Sequence, residues 1–221
     1  NNHSLFFLAL LARDHFRLSP RVSLSGELEE CVKRLSKDGF CIAPFHLSKE
    51  MISDSIQFIE GNLGDARQVE SDYRIYDAES SCETIREDFS CNQKIIDVGR
   101  AYLKSEMVFQ TTLAAKLTYQ EGNLGSGQGW HRDSYSRQYK SIAYLTDVDD
   151  ESGPFEYLVG SHRYDKIWKE LMVKRCLGKK PTDPRFSEEE IKILKDRLGL
   201  ESKKIPAKKG SILLADTRGV H

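Results

Sequence analysis

Neither sign of charge dominates this chain. Lys plus Arg number 33 and Asp plus Glu 34, a formal net charge of −1, so no broad attraction to nucleic acid or to an anionic membrane surface is expected. There is no CxxC pair, and the five cysteines (Cys31, Cys41, Cys82, Cys91, Cys176) are odd in number. That excludes a zinc ribbon, argues against a disulfide framework and points to a reducing, cytoplasmic compartment. Long hydrophobic runs are also missing. The strongest apolar stretch, LFFLALLA at 5–12, is too short to span a bilayer and lacks the preceding basic residues of a secretory signal, so a buried N-terminal helix is expected there. No internal repeat or low-complexity tract interrupts the chain. What is present is an ordinary globular mixture, 39% hydrophobic and 30% charged over 221 residues. That length is enough for a single domain, 1–221, with a sizeable core.

The first part, 1–107, reads as mostly helical. Ser25 or Gly26 can cap a helix carrying Leu28, Val32 and Leu35 on one face, with Gly39 as its stop. Phe40–Pro44 is a short apolar strand. Ser48 opens a second helix with Met51, Ile52, Ile56 and Ile59 at helical spacing, and a third is expected over 92–103. From residue 108 the period changes: Leu113, Ala115, Leu117 and Tyr119 alternate with Thr112, Ala114, Lys116 and Thr118. A glycine-rich loop follows at 122–129, and further strands are expected at 130–134, 141–145, 155–159 and 211–215. Short strands between turn signals suggest a two-sheet β architecture with flanking helices, α+β in class but mainly β. Residues 163–204, rich in Lys and Glu, read as a helical insertion, either a solvated excursion or a lid. Within it Ser187 and Glu190 form a capping box ahead of Ile191, Leu194 and Leu198.

The chemistry begins at Trp130-His131-Arg132-Asp133. On a strand, residues i and i+2 share a face, so His131 and Asp133 can grip one metal ion. An imidazole and a carboxylate, completed by a second imidazole from elsewhere, make the facial triad of non-haem iron(II) oxygenases. Such a triad leaves coordination positions open for a bidentate co-substrate and dioxygen. The motif needs context: with 6 His and 16 Asp in the chain, H-x-D arises by chance roughly 0.4 times. That context is LTDVDDESGPFEYLVGSHR at 145–163 and KKGSILLADTRGVH at 208–221.

Together with WHRD, these blocks resemble the phytanoyl-CoA dioxygenase-like 2-oxoglutarate oxygenases. WHRD matches the family's H-x-D, the second block its strand, glycine turn and GSH segment, and the third the Lys-Gly strand ending in the distal histidine. GFCIAPFHLSKEMI at 39–52 resembles the family's opening strand and helix. The resemblance implies a double-stranded β-helix (jelly-roll) core over 108–221, iron(II) as metal, 2-oxoglutarate as co-substrate and O2 as oxidant. It implies His131, Asp133 and His221 as the metal ligands and catalytic centre, acting on a small organic substrate that the sequence does not identify. The family's arginine for the distal carboxylate of 2-oxoglutarate falls about ten residues beyond the distal histidine, so a tail past His221, completing a strand, is expected. Arg74, Lys116, Lys140 and Tyr144 are further co-substrate candidates, each cation needing an anionic partner if buried. His162 reads as a turn residue.

Asp133 favours hydroxylation, because related halogenases carry a small residue at that position to admit chloride. Two other classes compete: a jelly-roll metal protein that uses no 2-oxoglutarate, and a non-catalytic module that binds a small molecule on the same fold. The clustered histidines and glutamate of cupins are lacking, which disfavours the first. Metal analysis separates the second. Oligomeric state is left open.

Overall fold

The structure, a computed structural model, describes residues 22–118, 127 and 129–221. The helix expected at 5–12, Tyr119 and most of the 122–129 loop lie outside them. Five longer helices are present: α1 (Gly26–Lys37), α2 (Lys49–Gly61), α3 (Gln93–Leu103), α4 (Tyr164–Cys176) and α5 (Glu188–Leu198). Two caps are made by the side chains expected to make them: Ser48 accepts from the Met51 N–H, and Ser187 closes its capping box with Glu190. Asn92 also caps its helix, accepting from Lys94 and Ile95, whereas Ser25 stands at the N-cap of α1 without a side-chain cap bond.

Eight short strands, all paired antiparallel, run β1 (Phe40–Ile42), β2 (Arg67–Val69), β3 (Asp72–Ile75), β4 (Ala114–Leu117), β5 (Lys140–Ala143), β6 (Phe155–Leu158), β7 (Ser202–Ile205) and β8 (Ile212–Ala215). They form sheets β1-β8-β5, β2-β3-β4 and β6-β7. The β6-β7 pair continues sideways through isolated backbone bonds. Leu158 N–H donates to the Val220 carbonyl, His131 and His221 exchange N–H···O bonds, and the Phe186 N–H reaches the Trp130 carbonyl.

Side-chain alternation assigns the layers. Along β8, Ile212 and Leu214 point to one cluster and Leu213 to the other. Leu213 meets Phe40 and Ile42 of β1, Ile142 of β5, Tyr157 of β6 and Ile205 of β7, so the two sheets face each other across this core. Ile212, Leu214 and Cys41 pack instead against Leu35, Met51, Ile52 and Val98 of the first three helices. Beyond the second layer, Phe186, Ile191, Leu194 and Leu200 cover Leu158 and Val220. The molecule is therefore helix, sheet, sheet, helix, with two facing antiparallel layers consistent with a jelly roll.

Two expectations change. Helix accounts for more than twice as many described residues as strand, so "mainly β" is corrected to a mixed fold in which helices dominate. The physical reason is that much of the second layer pairs through single residues; residues 130–134 make one bridge, His131 to Arg185, instead of a ladder. Of the two readings of the insertion, the solvated excursion fails: α5 buries Ile191 and Leu194 on the second layer, and α4 buries Ile167, Glu170 and Lys174. Strands β2, β3 and β7 were not foreseen, nor were the bounds of α4 within the helical insertion, their runs being short or too charged to show a period.

Leu213 is fully buried between the sheets. We expect Leu213→Ala to cost about 2–5 kcal/mol through lost burial plus a residual cavity, measured by urea unfolding. A cost below about 1 kcal/mol would contradict the facing-sheet packing.

Candidate metal centre

His131 and His221 form a hydrogen-bonded antiparallel pair. The His131 N–H donates to the His221 carbonyl at 2.9 Å and the His221 N–H returns to His131 at 2.8 Å. Residues opposite one another in such a pair project to the same face, and the two imidazole centroids are 4.4 Å apart. Asp133, two residues on from His131, joins them on that face, its N–H bonded to the Thr217 carbonyl at 3.0 Å. The three ligand atoms lie within 4.8 Å of one another.

The donor set fits a divalent ion. Nε2 of His131 is 3.6 Å from Oδ1 of Asp133, and Nε2 of His221 is 3.9 Å from Oδ2. Two ligands about 2.1 Å from one ion stand at most about 4.2 Å apart, so both spacings can be bridged. Each imidazole turns Nδ1 to a backbone carbonyl, His131 to Gly129 at 2.9 Å and His221 to Gly219 at 3.0 Å. A carbonyl only accepts, so Nδ1 carries the proton and the Nε2 lone pair is left for a metal.

The electrostatics agree. Burial, reinforced by the neighbouring His131, pushes the His221 imidazole down to about 4 despite its bond to Gly219, so it is neutral at pH 7. Burial alone would raise the Asp133 carboxyl, but hydrogen bonds from Lys140 and Thr217 outweigh it and hold the group below its ordinary value. A neutral imidazole at His221 and an ionised carboxylate at Asp133 are protonation states that ligation needs.

The second histidine is carried by the turn at 216–219, which a buried carboxylate organises. Asp216 accepts from the Gln138 and Arg218 N–H groups, from the Tyr102 hydroxyl at 2.5 Å and from the Arg218 guanidinium at 3.2 Å. Its carbonyl accepts from the Tyr157 hydroxyl at 2.7 Å. A Cβ at Gly219 would stand 1.8 Å from that hydroxyl, so only glycine fits there. The Val220 N–H closes the turn on the Ser161 hydroxyl.

Of the remaining co-substrate candidates, Lys140 is the one brought to the triad, its Nζ 2.7 Å from Asp133 Oδ2. Tyr144 lies on the same face of its strand, buried between the sheets and donating to the Ile205 carbonyl. Arg74 is on β3, ion-paired with the buried Asp72 at 3.1 Å. Lys116 shares its strand face with Ala114, whose side chain enters the helical core, and binds Glu60 of α2 at 2.8 Å. That face points away from Arg74, which lies opposite Ala115.

Residues 35–221 match the sequence profile of the phytanoyl-CoA dioxygenase (PhyH) family. The chain belongs to the phytanoyl-CoA dioxygenase family. No curated protein sequence matches it. Its fold is similar to that of several solved structures. One is the epimerase SnoN in complex with Fe3+, alpha ketoglutarate and nogalamycin RO (TM-score 0.59, 16% identity, 87% of this chain and 75% of that one). Another is the non-heme alpha ketoglutarate dependent carbocyclase SnoK from nogalamycin biosynthesis (0.60, 16%, 91% and 79%). A third is EctD from S. alaskensis with bound Fe (0.58, 17%, 93% and 75%).

Reading the PhyH-family motifs alone misses the scaffold beneath the triad. Asp216, Tyr102 and Tyr157 carry no local pattern that marks them. Arg132 does carry one: the alternation that pairs His131 with Asp133 sends Arg132 to the opposite face, where a buried cation requires an acidic partner. His162, read as a turn residue, is a buried one, with Nε2 3.2 Å from the Ser36 carbonyl.

Two outcomes follow. A Cβ at Gly127 would stand 2.2 Å from the His131 ring, so Gly127→Ala should displace that imidazole. We expect Co(II) affinity to fall about tenfold or more with little change in melting temperature; unchanged affinity would contradict the packing. Burial also holds His162 near 4, below its unfolded value of 6.5. Its contribution to stability is present above pH 6.5 and is lost progressively as pH falls from 6.5 to 4. Unfolding midpoints of His162→Gln should accordingly vary less over that window than those of the wild type.

Proposed function

We propose that this chain is an iron(II)- and 2-oxoglutarate-dependent dioxygenase that hydroxylates a small organic substrate. The observation that carries this reading is the convergence of the Nε2 atoms of His131 and His221 on the Asp133 carboxylate, in a chain of this family. Bound there, iron(II) would supply oxidation of a substrate C–H bond coupled to decarboxylation of 2-oxoglutarate to succinate and carbon dioxide. The protein's own residues hold the ion and aim it. The Gly129 and Gly219 carbonyls orient the imidazoles, and Lys140 and Thr217 keep Asp133 ionised. Phe155 stacks on His221 at 5.1 Å between ring centroids and screens that ligand from water.

Lys140 supports a second role. A cation beside the triad, on the interior face of β5, is suited to a co-substrate carboxylate once a metal takes over Asp133. Arg74 and Lys116 already face carboxylates of the protein. Hydroxylation is favoured over halogenation by the carboxylate at Asp133. Among the similar structures are an epimerase and a carbocyclase, both described as non-heme alpha ketoglutarate dependent. None of the five cysteines is in a disulfide, which supports a reducing, cytoplasmic setting. Among the described residues no helix is long and apolar enough to cross a membrane, and the near-zero net charge argues against nucleic acid as partner.

The test is succinate formation from 2-oxoglutarate with iron(II), ascorbate and air, with and without candidate substrates. We expect turnover by the wild type, loss by at least 100-fold in Asp133→Ala, and a raised KM for 2-oxoglutarate in Lys140→Met. Stoichiometric iron binding with no affinity for 2-oxoglutarate would overturn the assignment in favour of a 2-oxoglutarate-independent metal protein.

A further inference from the structure

Arg132 stands between two of the three triad residues yet takes no part in the triad. Its side chain is fully buried on the opposite face of the strand, pointing at the insertion. One terminal nitrogen of its guanidinium donates to the Arg218 carbonyl and the second terminal nitrogen to the Glu170 carboxylate. Arg218 belongs to the turn that delivers His221. A single planar cation thus touches the segment bearing His131 and Asp133, the segment bearing His221, and helix α4.

The surroundings are built for it. The guanidinium carbon lies 4.9 Å from the Tyr135 ring centroid and 5.7 Å from that of Phe186. Glu170 is 2% exposed and Lys174, one helical turn further on α4, is equally buried. Lys174 donates to the Asp183 and Arg185 carbonyls at 2.5 and 3.1 Å and lies 3.6 Å from the Phe186 ring centroid. It therefore ties down the 183–186 segment. That segment pairs with the metal strand from the other side: the Arg132 N–H donates to Pro184, and Arg185 bridges His131. Three buried charges are a costly way to glue a helix to a sheet, since packed apolar residues of similar volume serve adhesion at least as well. What a fork of donors adds is direction, because it fixes two acceptors at set angles.

We propose that Arg132 and Glu170 are positioning residues for the metal centre, setting the separation of the two ligand-bearing segments from the insertion side. Helix α4 is then part of the scaffold of the triad, not a cover over it. The inference rests on the metal reading above, since a triad with no ion has nothing to position.

The experiment compares the full chain with Arg132→Lys, Glu170→Gln and the double variant Arg132→Met/Glu170→Met. Each is titrated with Co(II), the d–d absorption spectrum recorded, and the metal-free protein melted. The double variant removes both members of the ion pair together and leaves Lys174 on the Asp183 and Arg185 carbonyls, so it should stay folded. We expect its Co(II) affinity to fall about tenfold or more, with altered d–d band positions. Arg132→Lys, which keeps the charge but not the fork, should show the same spectral change in milder form. A double variant that melts, binds and absorbs like the wild type would overturn the proposal and leave the pair as adhesion only. Should the double variant fail to fold, Arg132→Lys decides: an unaltered spectrum and affinity in that variant rejects the proposal. Absence of Co(II) binding by the wild type would instead bring down the metal reading itself, and this inference with it.

Discussion

A two-way backbone hydrogen bond between His131 and His221 is the contact on which the site depends. The residues are 90 positions apart, and only a paired register makes their imidazoles neighbours on one face. Everything else around the centre preserves that register. Leu158 N–H holds the far side of the 220–221 segment through Val220, and Pro184 and Arg185 flank residues 131–132 from the opposite direction. A slip of one residue would turn one imidazole to the helical layer and abolish the triad.

The pair is not part of a long ladder, so side chains must replace what ladder bonds would otherwise supply. Asp216 does this for the turn before His221, satisfying two N–H groups and binding a tyrosine hydroxyl and a guanidinium with one buried carboxylate. Arg132 does it for the other segment. Buried ionised groups stabilise little in net terms because desolvation offsets most of their attraction. Their concentration beneath the triad is better understood as geometric control over backbone that lacks regular pairing. The same burial keeps His221 neutral, the state in which it can donate a lone pair.

Much of this was legible in the sequence. The capping box at Ser187 and Glu190, the helices opened by Ser48 and Asn92, and strands β6 and β8 stand where local chemistry put them, because caps and apolar alternation are encoded within a few residues. The H-x-D spacing, with the LADTRGVH block, named three residues that the fold brings within 4.8 Å. What stayed hidden depended on distant partners. The lysine-rich 164–176 stretch folds as a helix whose buried face includes Glu170 and Lys174, and buried charges leave no amphipathic stripe to read. Lys116 and Lys140 are alike as sequence, both lysines on short strands. Only the register shows that one meets Glu60 on the helical side while the other meets Asp133.

The central claim, that one ion is held by two imidazoles and a carboxylate, is tested most directly by X-ray absorption at the iron edge on protein loaded anaerobically with one equivalent of iron(II). We expect a six-coordinate spectrum with the multiple-scattering signature of two imidazoles. A spectrum of oxygen ligands alone, with no imidazole scattering, would contradict it.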